Sequence, residues 1–167
     1  MRSSNVRAKL FIRPAFTLVE ITLCVLILGI IAAVATPKYF SSLDRFRLES
    51  AVKTLTSDVL LTQRSARQTN SIRILVFNLA ESTYSAENIA SVERASGSHR
   101  VILTDPPYQC KLTGLIDSGQ PSQNLSTLSL SFNRFGIPDR GATITLQSGG
   151  LSKSISVDAS TGIARQP

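Results

Sequence analysis

The sequence predicts an α+β fold: a long N-terminal α-helix whose second half packs on an antiparallel β-sheet. Three observations carry that expectation. Residues 16–35 form an apolar run whose only charge is Glu20. From Lys38 onward, apolar residues recur at three- and four-residue spacings, the signature of one buried helix face. Beyond Ser71 the pattern changes to period-two alternation punctuated by Gly and Pro, the signature of half-buried strands.

Composition bounds the function classes. The 167 residues are 43% hydrophobic, so a packed core is within reach and global disorder is not expected. No Trp, one His and two Cys argue against a disulfide scaffold, a His-rich metal site and a Ser–His–Asp triad. The formal charge is +7, but it is unevenly placed. Arg2, Arg7, Lys9 and Arg13 precede the apolar run without an intervening acid, whereas residues 71–167 carry eight basic and seven acidic side chains. The excess is therefore a basic flank on an apolar segment, which holds that end in the cytoplasm, rather than a nucleic-acid footprint.

The apolar run FTLVEITLCVLILGIIAAVA would span roughly 30 Å as a helix, the thickness of a bilayer core. Three readings compete. It is the h-region of a secretory signal, cut after Ala35 at Ala33-Val34-Ala35; or an uncleaved anchor; or a segment kept on the mature chain after a short leader is cut away before Phe16. Glu20 separates them. A carboxylate in a membrane helix costs a few kcal/mol, of the order 2.5–3.5 at the centre, and usually has a partner. Cleavage between Ala15 and Phe16 would create such a partner, the new α-amine of Phe16, on the same helix or on a neighbouring subunit.

These residues, RPAFTLVEITLCVLILGIIAAVATPKYF, resemble the N-terminus of a type IV pilin or pseudopilin precursor. The family pattern is a basic leader, a small residue, then Phe-Thr-Leu-Val-Glu and an apolar helix, with Gly29, Pro37 and Tyr39 at positions where pilins often have those residue types. Ala15 departs from it, standing where Gly is usual. The resemblance implies that prepilin peptidase cuts after Ala15 and methylates the Phe16 amine, and that Glu20 pairs with a neighbouring subunit's Phe16 amine during assembly. Residues 1–15 would be the leader, 16–37 the transmembrane and assembly helix, 38–70 its amphipathic continuation and 71–167 a β-rich globular domain. The partners implied are other pilin or pseudopilin subunits, the peptidase and the bacterial inner membrane, crossed once with the globular domain in the periplasm. Pro37, which removes a backbone donor, is read as a helix kink or as the boundary where the helix leaves the membrane.

In the continuation, Phe40, Leu43, Leu48, Val52, Leu55 and Val59 mark the buried stripe and Arg45, Glu49, Lys53 and Arg64 the solvated face. The helix is expected to run to about Gln68, with Thr69-Asn70-Ser71 as its terminator. Strands are expected within Ser71–Leu79, at Arg100–Thr104, at Leu128-Leu130-Phe132, at Ala142-Ile144-Leu146 and at Ile155-Val157, with a short segment at Ile163. The last strands suit a meander joined by short turns, at 133–141 and at Ser148-Gly149-Gly150. The Pro-, Ser- and Gly-rich stretch 105–127 reads as a long loop. The series LSFNRFGIPDRGATITL, followed by SISVDASTGIA, is similar to the end of the GspH/FimT group of minor pilins and pseudopilins, with Phe132, Gly136, Gly141, Thr161 and Gly162 at the matching positions.

No residue is assigned a catalytic role, a metal or a cofactor, and the chain is not expected to be an enzyme. His99 has no Cys near it and reads as a loop or strand-edge residue. Cys110 reads as a small buried side chain or as a thiol that pairs with another subunit; Cys24, inside the membrane segment, is in the wrong environment to pair with it. DNA is the remaining partner to weigh. Arg134, Arg140, Lys153 and Arg165, read as C-terminal loop cations with Phe135 beside the first, suit phosphate contact and base stacking, a function some FimT-like pilins have.

Overall fold

The computed structural model describes residues 16–87, 89, 99–119 and 124–166. The leader positions, Ala15 among them, lie outside the described residues, as do 120–123 of the expected loop. The chain forms two compact units divided between Tyr39 and Phe40. Helix α1 (Leu18–Gln68) begins in the first and ends in the second. Eight strands follow among the described residues: β1 (Arg73–Asn78), β2 (Thr83–Glu87), β3 (His99–Ile102), β4 (Lys111–Asp117), β5 (Thr127–Phe132), β6 (Ala142–Ser148), β7 (Leu151–Val157) and β8 (Ala164–Arg165). The fold is α+β, one long helix packed on antiparallel sheets.

The helix stops where its sequence says it should. Asn70 takes a left-handed conformation (φ 50°), and the amide of Ser71 reaches back 3.2 Å to the carbonyl of Ala66. That six-to-one closure satisfies a terminal carbonyl that would otherwise be orphaned, and Asn is one of the few residues that adopt the required φ cheaply.

Within the second unit, α1 buries Leu48, Ala51, Val52, Leu55, Val59, Thr62 and Ala66, a run of three- and four-residue steps on one face. Phe40 departs from the expected stripe: it is 57% exposed, and full burial begins at Leu48. Periodicity identifies which face of a helix is apolar; how far along that face the sheets extend is a tertiary matter.

The strands form two four-stranded sheets, ordered β3-β2-β1-β5 and β4-β6-β7-β8, instead of the single sheet expected. Every pairing is antiparallel. The meander begins one strand later than expected: β6, β7 and β8 form it, with Gly149-Gly150 as the tight turn between the Ser148↔Leu151 pair. β5 does not join it; its six residues pair with β1 from Arg73↔Phe132 to Asn78↔Thr127. Alternation along a strand shows that one face is buried but is silent on which neighbour it pairs with.

The stretch 105–127 is not a loop throughout, because it contains β4. The signal was masked by a bulge: the β4–β6 register shifts between Leu112 and Gly114. The extra residue puts Leu112 and Leu115 on the same buried side at an odd spacing, so strict alternation fails. β2 also escaped notice, since its buried positions, Thr83, Tyr84 and Ala86, include only one large apolar side chain.

Both sheets close on the α1 stripe in one continuous core that includes Leu75, Phe77, Leu130 and Phe132 from the first sheet and Leu112, Leu115, Ile144, Leu146, Ile155 and Val157 from the second. The Phe77 and Tyr84 rings meet in a tilted pair at 5.8 Å between centroids. Because Leu55 is fully buried at the middle of this stripe, Leu55→Ala should lower unfolding free energy by about 2–5 kcal/mol. Leu60→Ala, at a 42% exposed position, should change it by less than about 1 kcal/mol. Denaturant titration of the detergent-solubilised chain checks both.

Candidate functional site

The first unit, described from Phe16 to Tyr39, is helix with no buried residue. Thr17 starts it. The Glu20 amide donates to the Thr17 hydroxyl oxygen at 3.2 Å, so Thr17 is the N-cap and Glu20 the third helical residue. Thr-x-x-Glu is the capping-box sequence, and the pattern Thr17-Leu18-Val19-Glu20 carried this signal in plain view. A carboxylate in the first turn also faces the positive end of the helix dipole. Glu20 thus has a structural place at the helix start, independent of any partner.

Thr22 and Thr36 close their hydroxyls onto the helix. The Thr22 hydroxyl donates to the Val19 carbonyl at 2.8 Å and the Thr36 hydroxyl to the Ala32 carbonyl at 2.7 Å. Such back-bonding satisfies a hydroxyl where water is absent. Pro37 lies inside the helix without ending it. It has no amide proton to offer the Ala33 carbonyl, so the backbone ladder is weakened there. From Leu18 to Val34 the segment presents outward aliphatic surface, the exposed Cys24 thiol and one carboxylate.

In the second unit polar anchors hold the turns and sheets to α1. Asp58, buried in the helix, accepts the Tyr84 hydroxyl at 2.6 Å, and His99 Nε2 lies 3.1 Å from the same carboxylate oxygen. Burial, and then the Asp58 charge, push the Tyr84 hydroxyl far above its ordinary range, so it stays a donor. His99 accordingly sits on β3, at the sheet edge, with a carboxylate partner from the helix that no sequence spacing announces. Gln63, 4% exposed, donates both amide protons, to the Gly136 carbonyl at 2.8 Å and the Thr161 carbonyl at 2.7 Å. Arg67 Nε donates to the Phe135 carbonyl at 2.8 Å. The positions Gly136, Thr161 and Gly162, matched in the sequence to the GspH/FimT-like C-terminal pattern, are thus brought together under the helix. A Cβ at Gly136 (φ +72°) would strike Arg67 and Gln63, and one at Gly162 (φ +71°) would press on Gln63 and the Gly136 carbonyl. Gln63 was missed because a lone Gln on a helix has no pattern.

The four cations considered for DNA do not converge. Arg140 is held by Asp139 at 3.0 Å and Asp117 at 3.1 Å, and its guanidinium proton is bound more tightly for that reason, Asp139 first. Lys153 and Arg165 lie in β7 and β8, not in loops. Lys153 pairs with buried Leu146 and so shares the core-facing side of its sheet; Arg165 pairs with exposed Ser156 and faces outward. Only Arg134 has the aromatic neighbour expected, its guanidinium 5.2 Å from the Phe135 ring centre. Cys110 is fully buried and unpaired, and burial pushes its thiol pKa up, which makes it unreactive. Among the described residues no group of three or more His, Cys, Asp or Glu is placed to hold a metal.

No family model matches the chain, and no curated protein matches it. Among solved structures, two crystal structures of the type IV minor pilin FimU of Pseudomonas aeruginosa (strain PAO1) are similar in chain course. One has a TM-score of 0.48 at 15% identity, covering 74% of this chain and 90% of that one. The other has a TM-score of 0.47 at 14% identity, covering 72% and 92%.

Two outcomes follow for the second unit. Gln63→Ala leaves two turn carbonyls without their donor and should cost about 1–3 kcal/mol, with faster amide exchange in both turns, read by denaturant titration and hydrogen exchange. The Asp158 carboxylate accepts the Ser160 hydroxyl, the Thr161 and Ser160 amides and the Thr161 hydroxyl, which hold it well below the usual carboxylate range. A depressed folded-state pKa stabilises above the unfolded value, about 3.9, and that contribution disappears as pH falls through the folded value. Asp158→Asn should therefore be less stable than the parent at neutral pH, and the gap should close only in strong acid, as unfolding curves across that range will show.

Proposed function

We propose that the chain is a structural subunit of a membrane-assembled helical filament, a minor pilin or pseudopilin, joined to its neighbours through residues 16–37. The observation that carries the reading is the helix beginning at Thr17. From residue 17 to residue 37 it is capped, its hydroxyls are closed onto its own backbone, no residue is buried, and its one charged group is the first-turn carboxylate of Glu20. A helix of that kind needs an apolar surrounding, which a bilayer supplies before assembly and neighbouring helices supply after it.

The resemblance of Phe16-Thr17-Leu18-Val19-Glu20 to the prepilin pattern supplies the chemistry. Prepilin peptidase cuts between Ala15 and Phe16 and methylates the new amine. Glu20, held at the helix start by the Thr17 cap, then offers its carboxylate to the Phe16 amine of an adjacent subunit. In an apolar surrounding such a pair is strong because each charge relieves the other's desolvation, and leaving one without its partner is correspondingly costly. The subunit would cross the bacterial inner membrane once, with residues 71–167 in the periplasm, and enter a type IV pilus or a type II secretion pseudopilus.

Intact mass and N-terminal sequence of the protein from its native host test the processing step: the expected chain begins at N-methylated Phe16. A chain beginning at Thr36 would show the apolar run to be a discarded signal and would remove the filament role. Glu20→Ala should leave membrane insertion intact and abolish most incorporation into filaments, with Glu20→Asp retaining part of it; normal incorporation of Glu20→Ala in sheared-filament fractions would remove the charge-pairing step.

A further inference from the structure

We propose that the groove between α1 and β8 is a docking site for an acidic polypeptide segment, which seats one aliphatic side chain in the groove and lays its carboxylates on Arg64, Arg67 and Arg134. The inference goes beyond the filament reading and stands on the second unit alone. Val59, Leu60 and Gln63 of the helix face Gly162, Ile163 and Ala164 across an open groove of about 110 Å³. Val59 and Gln63 are buried and form its floor; Leu60 and Ile163, both nearly half exposed, form its rim. The groove is held in shape. Gln63 donates to the Gly136 and Thr161 carbonyls, which fixes both turns against the helix, and a side chain at Gly162 (φ +71°) would press on Gln63. A small-molecule pocket has about 300–1,000 Å³, so this groove has room only for one side chain of a larger partner. Val59, Leu60, Ile163 and Ala164 give it aliphatic walls, so water there finds few partners and an apolar group displaces it at a gain.

The charge beside the groove names the partner. Arg64 stands one turn beyond Leu60, and Arg67 one turn beyond Gln63. Arg67 Nε donates to the Phe135 carbonyl at 2.8 Å, which brings the neighbouring Arg134, over the exposed Phe135 ring, to the same corner. All three arginines are exposed, and among the described residues none of them pairs with a carboxylate. Residues 59–68 contain no acid. Of the two acids in the adjoining turns, Asp139 is held by Arg140, and Asp158 accepts from Ser160 and Thr161 of its own turn. Guanidinium forks match carboxylates, and a side chain seated in a shaped pocket anchors an interface. Three such forks beside an apolar groove therefore complement a segment with acids on either side of an aliphatic residue. A symmetric contact with a second copy would set the arginines against one another. Residues 1–15, with four cations and no acid, carry the wrong charge to fill the site. A nucleic acid would give the arginines phosphates but the groove no aliphatic side chain.

The test titrates the full chain, in micelles of an uncharged detergent, into a fluorescein-labelled peptide of sequence Glu-Asp-Leu-Glu-Glu and reads anisotropy, with empty micelles as the blank. The expected result is saturable binding that weakens as salt is raised. Replacing the peptide's Leu by Ser should weaken it about tenfold, the factor that burial of part of one aliphatic side chain supplies. Ile163→Ser in the protein should cost the parent peptide about as much, and Arg64→Glu at least about tenfold. Both positions are at the surface, so both variants keep the fold. Arg45→Glu, at an exposed cation roughly 28 Å back along the helix, should leave binding unchanged. Absence of saturable binding with a Kd below about 1 mM would overturn the proposal. So would equal binding of the Leu and Ser peptides, or equal losses in Arg45→Glu and Arg64→Glu, since either marks unspecific attraction to a basic protein. A single-stranded oligothymidylate that binds as tightly, with no effect of Ile163→Ser, would assign the arginines to nucleic acid and overturn it. Self-association of the full chain that Arg64→Glu abolishes would assign the groove to a second copy and overturn it equally. None of these outcomes touches Phe16 processing or Glu20, so the filament reading stands or falls separately.

Discussion

The stripe of α1 from Leu48 to Ala66 is the surface on which the rest of the second unit depends. Both four-stranded sheets bury apolar side chains in a single core that includes that stripe. Apolar burial of this kind is non-directional. It drives the sheets onto the helix without saying where along it they stop. The direction comes from a few polar contacts spaced down the same helix: Asp44 to the β6–β7 turn, Asp58 to Tyr84 and His99, Gln63 to the Gly136 and Thr161 carbonyls, and Arg67 to Phe135. Asp44, Asp58 and Gln63 are buried or half-buried groups whose hydrogen-bonding demand is met only in one register of sheet on helix, and an unmet demand there would cost about 1–3 kcal/mol, while Arg67 adds an exposed contact. The hydrophobic stripe supplies the drive and the polar contacts supply uniqueness.

The same helix, N-terminal to Tyr39, lives by a different rule. There the side chains have no protein cover, and the polar groups turn inward onto the backbone instead of outward to water. Glu20 is the exception. Its position as third residue after the Thr17 cap gives it a local role at the helix start, and the proposed pairing with an α-amine gives it an intermolecular one. The two are compatible, since the cap engages the Glu20 backbone amide and leaves the carboxylate available.

How much of this was legible beforehand differs by element. The helix end at Asn70, the β6–β7 hairpin and the buried faces of β5, β6 and β7 were read correctly because each depends on a local rule: a left-handed C-cap, a Gly-Gly turn, a period of two. β4 was hidden because a bulge at Leu112–Gly114 breaks that period, and the Pro- and Ser-rich flanks coloured the whole window. The division of the strands between two sheets was hidden because β5 and β6 are adjacent in sequence and both alternate. Only the pairing of β5 with β1, from Arg73↔Phe132 to Asn78↔Thr127, tells them apart. The reading of all four cations as loop residues fails for a related reason. Numbers along the chain do not say that Lys153 and Arg165 point to opposite sides of a sheet, or that Arg140 is already held by two carboxylates.

The sequence by itself determined the segment types, because hydropathy, periodicity, caps and turn residues are properties of neighbours in the chain. It placed an apolar helix with one carboxylate at its start, the amphipathic continuation of that helix, and a β-rich remainder. The tertiary structure decided the contacts that span long separations: which strands share a sheet, that Gln63 holds two distant turns, and that Asp58 gathers Tyr84 and His99. Those outcomes depend on closing long loops and on competing for the same helix face, and no local pattern encodes that competition.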